Sequence, residues 1–137
     1  MKSNTEVKTD DILIIGAHYD GINNIPAAND NASGISVMLE LIRLLHDIPT
    51  DTEIRFVAFD AEEVGLIGSE YYASHLGDDI NRTIGMLNID MIGSTKAGSV
   101  SIFSSNGNEN YLSDILKKNK KYTNIAVSRD FGRSDHM

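Results

Sequence analysis

Residues that can bind a metal ion or move a proton follow directly after apolar runs of this sequence. His18 and Asp20 follow one run, Glu62 and Glu63 follow a second, and Asp90 ends a third. If these runs are neighbouring strands of one sheet, their carboxyl ends meet at one edge and the side chains converge there. Imidazole and carboxylate groups are typical zinc ligands, and bound zinc activates water for hydrolysis. The spacing therefore predicts a metal centre.

Two further residues extend this set. Asp30 lies in the loop that opens the first predicted helix, and His136 lies near the end of the chain. Four such ligands make a site for one zinc ion, whereas five candidates with an additional carboxylate favour two ions that share a bridging group. A shared carboxylate offsets the repulsion between two close dications. Asp30 is the natural bridge.

The elements that position these residues alternate between strands and helices. Apolar or alternating runs predict strands over 11–17, 53–59, 83–91, 100–104 and 124–127. Helical periodicity predicts helices over 32–46, 66–76 and 110–120, and the first carries apolar residues on most of its surface, which indicates a largely buried helix. This order predicts an α/β fold in which helices cover the faces of a sheet and ligands gather at its carboxyl edge.

Composition restricts the classes of protein to which the chain can belong. With 137 residues, 41% hydrophobic and 23% charged, it has the size and composition of one soluble globular domain rather than a disordered or fibrous chain. The absence of cysteine excludes thiolate ligands and disulfides. A net charge of −8 opposes nucleic-acid binding. No apolar run reaches the ~20 residues of a membrane span, and the polar start is unlike a signal peptide.

Five segments resemble the M28 zinc peptidases of the co-catalytic aminopeptidase type. They are 16–20 (GAHYD), 28–34 (ANDNASG), 59–69 (FDAEEVGLIGS), 88–93 (NIDMIG) and 133–136 (RSDH). Each segment alone is a weak signal, but all five occur in the family's order on predicted strand ends and loops. The resemblance implies a zinc-exopeptidase-like three-layer sandwich, with helices on both faces of a mostly parallel or mixed sheet that is incomplete at both ends.

The resemblance also implies which residues hold the metals. One zinc ion is expected on His18, Asp30 and Asp90, and a second on Asp30, Glu63 and His136, so that Asp30 is shared. Cobalt or manganese is expected to substitute for zinc, since the same ligands suit these ions.

Two further roles follow from the same resemblance. Glu62 is expected to be the general base, which takes a proton from metal-activated water and delivers it to the leaving amine. Asp20 is expected to support catalysis by accepting a hydrogen bond from the ring of His18, which turns the other ring nitrogen towards the metal. In this family the peptide bond after the bridging aspartate is often cis, so the bond from Asp30 to Asn31 is expected to be cis.

The implied function is zinc-dependent hydrolysis of the N-terminal peptide bond of peptides with a free amino terminus. We expect residues 1–10 to form a polar leader or edge segment and 11–137 to form the catalytic core, truncated after its last ligand. Sheet edges left exposed by such trimming would favour self-association. Members of the family are often secreted, but the compartment of this protein is left open.

Two alternatives stand beside this prediction. A glutaminyl-cyclase-like enzyme has a similar fold with a single zinc ion, and a non-catalytic binding module of the same fold typically lacks metal ligands. Each motif also has a structural interpretation, such as a helix N-cap for 30–33 or a solvated turn for the acidic pair 62–63. The complete set of ligand types favours the peptidase.

Overall fold

The computed structural model describes residues 9–94, 96, 100–104, 106, 108, 110–118, 125–127 and 134–136, with the side chains of 125–127 excepted. The strands are β1 (Ile12–His18), β2 (Glu53–Phe59), β3 (Thr83–Asn88), β4 (Val100–Ile102) and β5 (Ile125–Val127), and the helices are α1 (Ala32–Leu45), α2 (Ile67–Ser74) and α3 (Tyr111–Lys118). A 3-10 helix, Gly77–Asn81, precedes β3. Most of the predicted leader 1–10, Arg133, Met137 and the predicted element ends at 119–120 and 124 lie outside the described residues.

The main sheet has the order β2-β1-β3, and both of its strand pairings are parallel. His18 pairs with Phe59, so β1 and β2 end at the same level. The short strands β4 and β5 form a second parallel pair. β1 lies in the middle of the main sheet, and a central parallel strand is covered on both faces. This position explains the uninterrupted apolar sequence of β1.

Helices cover both faces of this sheet. On one face, Met38 of α1 packs with Ile15, Ala17 and Ile54 in the hydrophobic core. On the other face, the ring of Phe59 meets that of Tyr72 in α2 edge-on, with the ring centroids 5.8 Å apart. Side chains alternate between faces along a strand. The predicted α/β class with a parallel sheet is confirmed.

The prediction of a largely buried first helix was wrong. Val37, Leu39 and Leu44 of α1 are exposed among the described residues. Of the residues that define its apolar periodicity, Met38 lies in the core and Ile35 and Leu45 pack against it, whereas Leu39 does not. Apolar residues also occur on exposed surfaces, so their presence on the remaining sides of a helix does not require burial.

An ion-pair network joins β2 to the 3-10 helix. Arg55 donates from Nε to Glu53 at 2.8 Å, and its NH1 lies 2.6 Å from Asp79. Arg82 donates to the second carboxylate oxygen of Asp79 at 2.7 Å. The network ties the start of the sheet to the turn that leads into β3.

None of the described helices has the length and apolar character required to cross a membrane.

Candidate metal centre

The predicted ligands lie together at the carboxyl edge of the main sheet. His18 is the last residue of β1 and is completely buried. The acidic pair 62–63 follows β2, and Asp90 follows β3 by two residues. Asp30 directly precedes Asn31, the N-cap of α1. The parallel register brings the ends of the three strands to one place, and the loop before α1 adds Asp30 there.

His18 lies at the centre of the cluster. Its Nε2 atom is 3.1 Å from Asp30 Oδ1 and 3.5 Å from Asp90 Oδ1, and its Nδ1 atom is 3.3 Å from Asp20 Oδ1. Ligand atoms of His18, Glu62 and Asp90 all lie within 4.8 Å of one another. In this group Glu62 lies beside two of the predicted metal ligands, His18 and Asp90.

Several of these atoms are suited to a cation. His18 Nε2, Glu63 Oε1, Asp90 Oδ1 and His136 Nε2 are buried and make no hydrogen bond with any described residue. A buried polar atom without a hydrogen bond costs about 1–3 kcal/mol, and more if it is charged. A divalent cation bound among these four nitrogen and oxygen atoms would replace their missing hydrogen bonds, and such a set of ligand atoms suits zinc. The residues therefore fit a metal centre.

Burial and charge shift the pKa values of these groups. Burial raises the pKa of Glu62 to about 7, with smaller opposing and reinforcing effects from His18 and the nearby carboxylates. Burial also raises the pKa of Glu63, and the charge of Asp30 adds to the effect. Burial lowers the pKa of His18, but Asp90 and its neighbouring carboxylates outweigh burial and leave the pKa raised. The raised pKa of the buried His18 shows that the carboxylates around it create a negative potential, which favours a cation.

Asp20 lies beside His18 and has two further partners that were not predicted. Its Oδ1 lies near His18 Nδ1, but the hydrogen bonds it accepts come from the backbone N–H groups of Glu62 and Glu63, each at 3.1 Å. Ala61, just before them, has a φ of 58°, which is in the left-handed region. Asp20 therefore holds the turn that presents the acidic pair as well as facing the histidine.

Other positioning residues were missed by the sequence prediction. Asn88 Nδ2 donates to Ser134 Oγ at 2.7 Å, and Ser134 donates to Asp90 Oδ2 at 2.8 Å, which leaves Asp90 Oδ1 facing His18. Asn31 is an N-cap, as the structural interpretation of 30–33 proposed, and the bond from Asp30 to Asn31 is cis. The contacts of Asn88 and Ser134 join distant segments, which no local pattern reveals, whereas an N-cap within 30–33 had been proposed from the sequence.

His136 lies beside this cluster in a partly buried position. Burial lowers its pKa, against the opposing charges of Asp135 and Asp90. Asp135 itself is only 6% exposed, and burial raises its pKa despite the nearby hydroxyl of Ser69. The charged neighbours of His136 thus include Asp90, whereas Asp30 is the charged neighbour with the largest effect on the pKa of Glu63. The ligand role of His136 stays a prediction.

A family model described as Peptidase family M28 matches residues 1–137. The chain belongs to peptidase family M28. Aminopeptidase YwaD of Bacillus subtilis is 38% identical to it over 143 residues, which cover 100% of this chain and 31% of that protein.

Solved structures agree with this family assignment. BSAP, a zinc aminopeptidase from Bacillus subtilis, matches with a TM-score of 0.91 and 37% identity over 98% of this chain and 35% of that one. LapB from Legionella pneumophila matches with a TM-score of 0.80 and 28% identity over 94% of this chain and 38% of that one. The M28 chain described here therefore spans about a third of the length of these relatives.

Proposed function

We propose that this M28 chain forms the metal-binding core of a zinc aminopeptidase that removes the N-terminal residue from peptides. The observation that carries the proposal is the meeting of His18, Asp30, Glu62 and Asp90 at one sheet edge, with buried donor atoms that lack hydrogen-bond partners. The zinc aminopeptidase BSAP, which shares this fold at 37% identity, supports the same activity.

Two zinc ions are proposed for this site. His18, Asp30 and Asp90 would hold one ion, and Asp30, Glu63 and His136 would hold the other. When bound, the zinc ions activate water, polarise the scissile carbonyl and attract the free amino group of the substrate. The remaining chemistry belongs to side chains of this chain.

Glu62 is proposed as the general base. It lies within 4.8 Å of ligand atoms of both His18 and Asp90, close enough to accept a proton from a water molecule held at the centre. The same carboxyl group would then return the proton to the leaving amine. Asp20 would keep Glu62 in place, because its carboxylate accepts a hydrogen bond from the backbone N–H of Glu62. Its distance of 3.3 Å to His18 Nδ1 also restricts the orientation of the imidazole ring.

A single-zinc enzyme of the glutaminyl-cyclase type is the second candidate. One observation favours it: among the described residues, the one group of three ligand atoms close enough to share an ion is that of His18, Glu62 and Asp90. Elemental analysis separates the candidates, since the aminopeptidase requires two zinc ions per chain and the alternative requires one.

The activity is tested with the complete protein that contains this chain. We expect release of nitroaniline from an aminoacyl p-nitroanilide in the presence of zinc, loss of release with a chelator, and no release from the N-acetylated substrate. Glu62→Gln should retain zinc and lose about 10²–10⁴-fold in kcat, the usual contribution of a general base. His18→Ala should lose zinc as well. Equal zinc content and equal turnover in both variants would refute the assigned roles.

A further inference from the structure

Three polar side chains around Asp30 bind the segment that carries Asp90. Asn29, Asn31 and Ser33 alternate along the chain, and each hydrogen-bonds to the backbone of residues 89–93. Asn29 Oδ1 accepts from Gly93 N at 2.8 Å, and Ser33 Oγ accepts from Ile92 N at 3.2 Å. The loop before α1 and the loop after β3 are therefore joined at several points, although about 60 residues separate them in the sequence.

Asn31 makes the central contacts of this clamp. Its Nδ2 donates to Ile89 O at 2.9 Å, and its Oδ1 accepts from Met91 N at 3.2 Å. One amide thus holds the backbone on both sides of Asp90, while its own residue is bonded directly to Asp30. Asn31 is only 1% exposed, so water does not compete for these hydrogen bonds.

The backbone next to Asp90 needs such support. Met91 has a φ of 51°, in the left-handed region that a methionine rarely adopts and that costs of order 1–3 kcal/mol. The hydrogen bond from Met91 N to Asn31 is made in this conformation. The carboxylates of Asp30 and Asp90 then both face His18 Nε2, at 3.1 and 3.5 Å.

We propose that Asn31 is a positioning residue that sets the separation of the Asp30 and Asp90 carboxylates, with Asn29 and Ser33 as outer parts of the same clamp. The clamp holds the two carboxylates ready for a cation before any cation binds. Its effect on metal binding rests on the proposed zinc function.

The test compares Asn31→Ala and Ser33→Ala with two matched controls in the complete protein. Asn110→Ala removes another asparagine whose side chain accepts a backbone N–H, that of Ser113 beside α3. Ser36→Ala removes a serine on the same helix as Ser33, whose hydroxyl has its one hydrogen bond with the described residues inside that helix, to Ala32 O. Zinc affinity is measured by competition with a chromophoric chelator, and ligand geometry by the visible absorption spectrum of the cobalt-loaded protein.

We expect Asn31→Ala to weaken zinc binding about 10–100-fold, the range typical of residues that orient metal ligands. Ser33→Ala removes one hydrogen bond to the loop and should weaken binding about three- to tenfold. Both should alter the cobalt spectrum. Asn110→Ala and Ser36→Ala should keep the zinc affinity and the spectrum of the wild type, whatever stability they lose.

Wild-type affinity and an unchanged spectrum in both clamp variants would overturn the inference while leaving the aminopeptidase proposal intact. Equal weakening in Ser33→Ala and Ser36→Ala would also overturn it, because the effect would then be general destabilisation. If Asn31→Ala does not fold, the comparison of the two serine variants decides. A wild-type protein that binds no zinc would overturn both the clamp's role and the proposed function.

Discussion

Gly34 lies where the start of α1 passes closest to the segment after β3. A methyl group added at this position would meet Ile89 O and Asn31 Oδ1, and it would lie 2.8 Å from Asn31 Nδ2. Backbone oxygen cannot move aside as the end of a flexible side chain does. Gly34→Ala should therefore push the helix start away from the loop that carries Asp90, and with it the nearby proposed ligand Asp30.

The size of the effect follows from these contacts. To restore an ordinary separation from the new methyl group, the Asn31 amide has to move by about 0.6 Å, and the helix start has to move by more from Ile89 O. Overpacking of this kind costs about 1–3 kcal/mol, and loss of the Asn31 cap costs about 1 kcal/mol. Replacing glycine by alanine inside a helix returns about 1 kcal/mol. We expect a net loss of about 2 kcal/mol, or about 4–8 °C in Tm.

The functional effect should exceed what this loss of stability explains. A displacement approaching 1 Å in a catalytic group can cost about 10²-fold in rate, so we expect a 10–100-fold lower kcat under conditions in which the variant is fully folded. Thermal unfolding and nitroanilide turnover measure the two effects. Gly85→Ala in β3 is the control, because within the described part of the chain its new methyl group would meet side-chain methyls alone, of Leu112 at 3.3 Å and Leu13 at 3.9 Å. If Gly34→Ala matches Gly85→Ala in both Tm and kcat, the assigned packing of α1 against this loop is wrong.

Three further predictions concern other parts of the chain. His136→Ala should reduce the zinc content from two ions to one, since it removes a proposed ligand of the second ion; elemental analysis that still finds two would place this histidine outside the ligand set. Asp20→Ala should lower kcat more than it lowers zinc affinity, because it frees the backbone that presents the proposed general base Glu62. Chelator competition measures the affinity beside turnover, and a larger loss of affinity than of kcat would contradict this role. The pKa of Asp79 is lowered by its hydrogen bond to Arg55, so its contribution to stability is present above the unfolded carboxyl pKa of about 3.9 and is lost as pH falls through the lower folded value. Urea unfolding from pH 7 down to about 2 should therefore show a smaller acid-induced loss of stability in Asp79→Asn than in the wild type, and identical profiles would contradict this contribution.

Local signals in the chain were sufficient for the elements of the fold. The apolar run before His18 predicted β1 within one residue at each end, and the predicted range of β2 matches the observed one. The third strand was predicted to reach residue 91 but ends at Asn88, because apolar residues continue after the chain has turned to present Asp90. A run of apolar residues indicates that a segment is buried, but only the path of the backbone shows where a strand ends.

The residue types of the metal centre, and their convergence at one sheet edge, also follow from the order of motifs along the chain. Which groups touch is a different matter, since it depends on how separate segments approach one another. No spacing rule indicates that Asp20 holds the backbone of Glu62, or that Ser134 fixes one oxygen of Asp90. Asn31 shows the difference most clearly: its type and place predicted an N-cap, but its hydrogen bonds to the segment around Asp90 exist because the parallel sheet brings two distant loops together. Contacts between residues a few positions apart can be predicted from the sequence. Contacts between loops that meet at the edge of a sheet are known only once the tertiary structure shows how the strands pack.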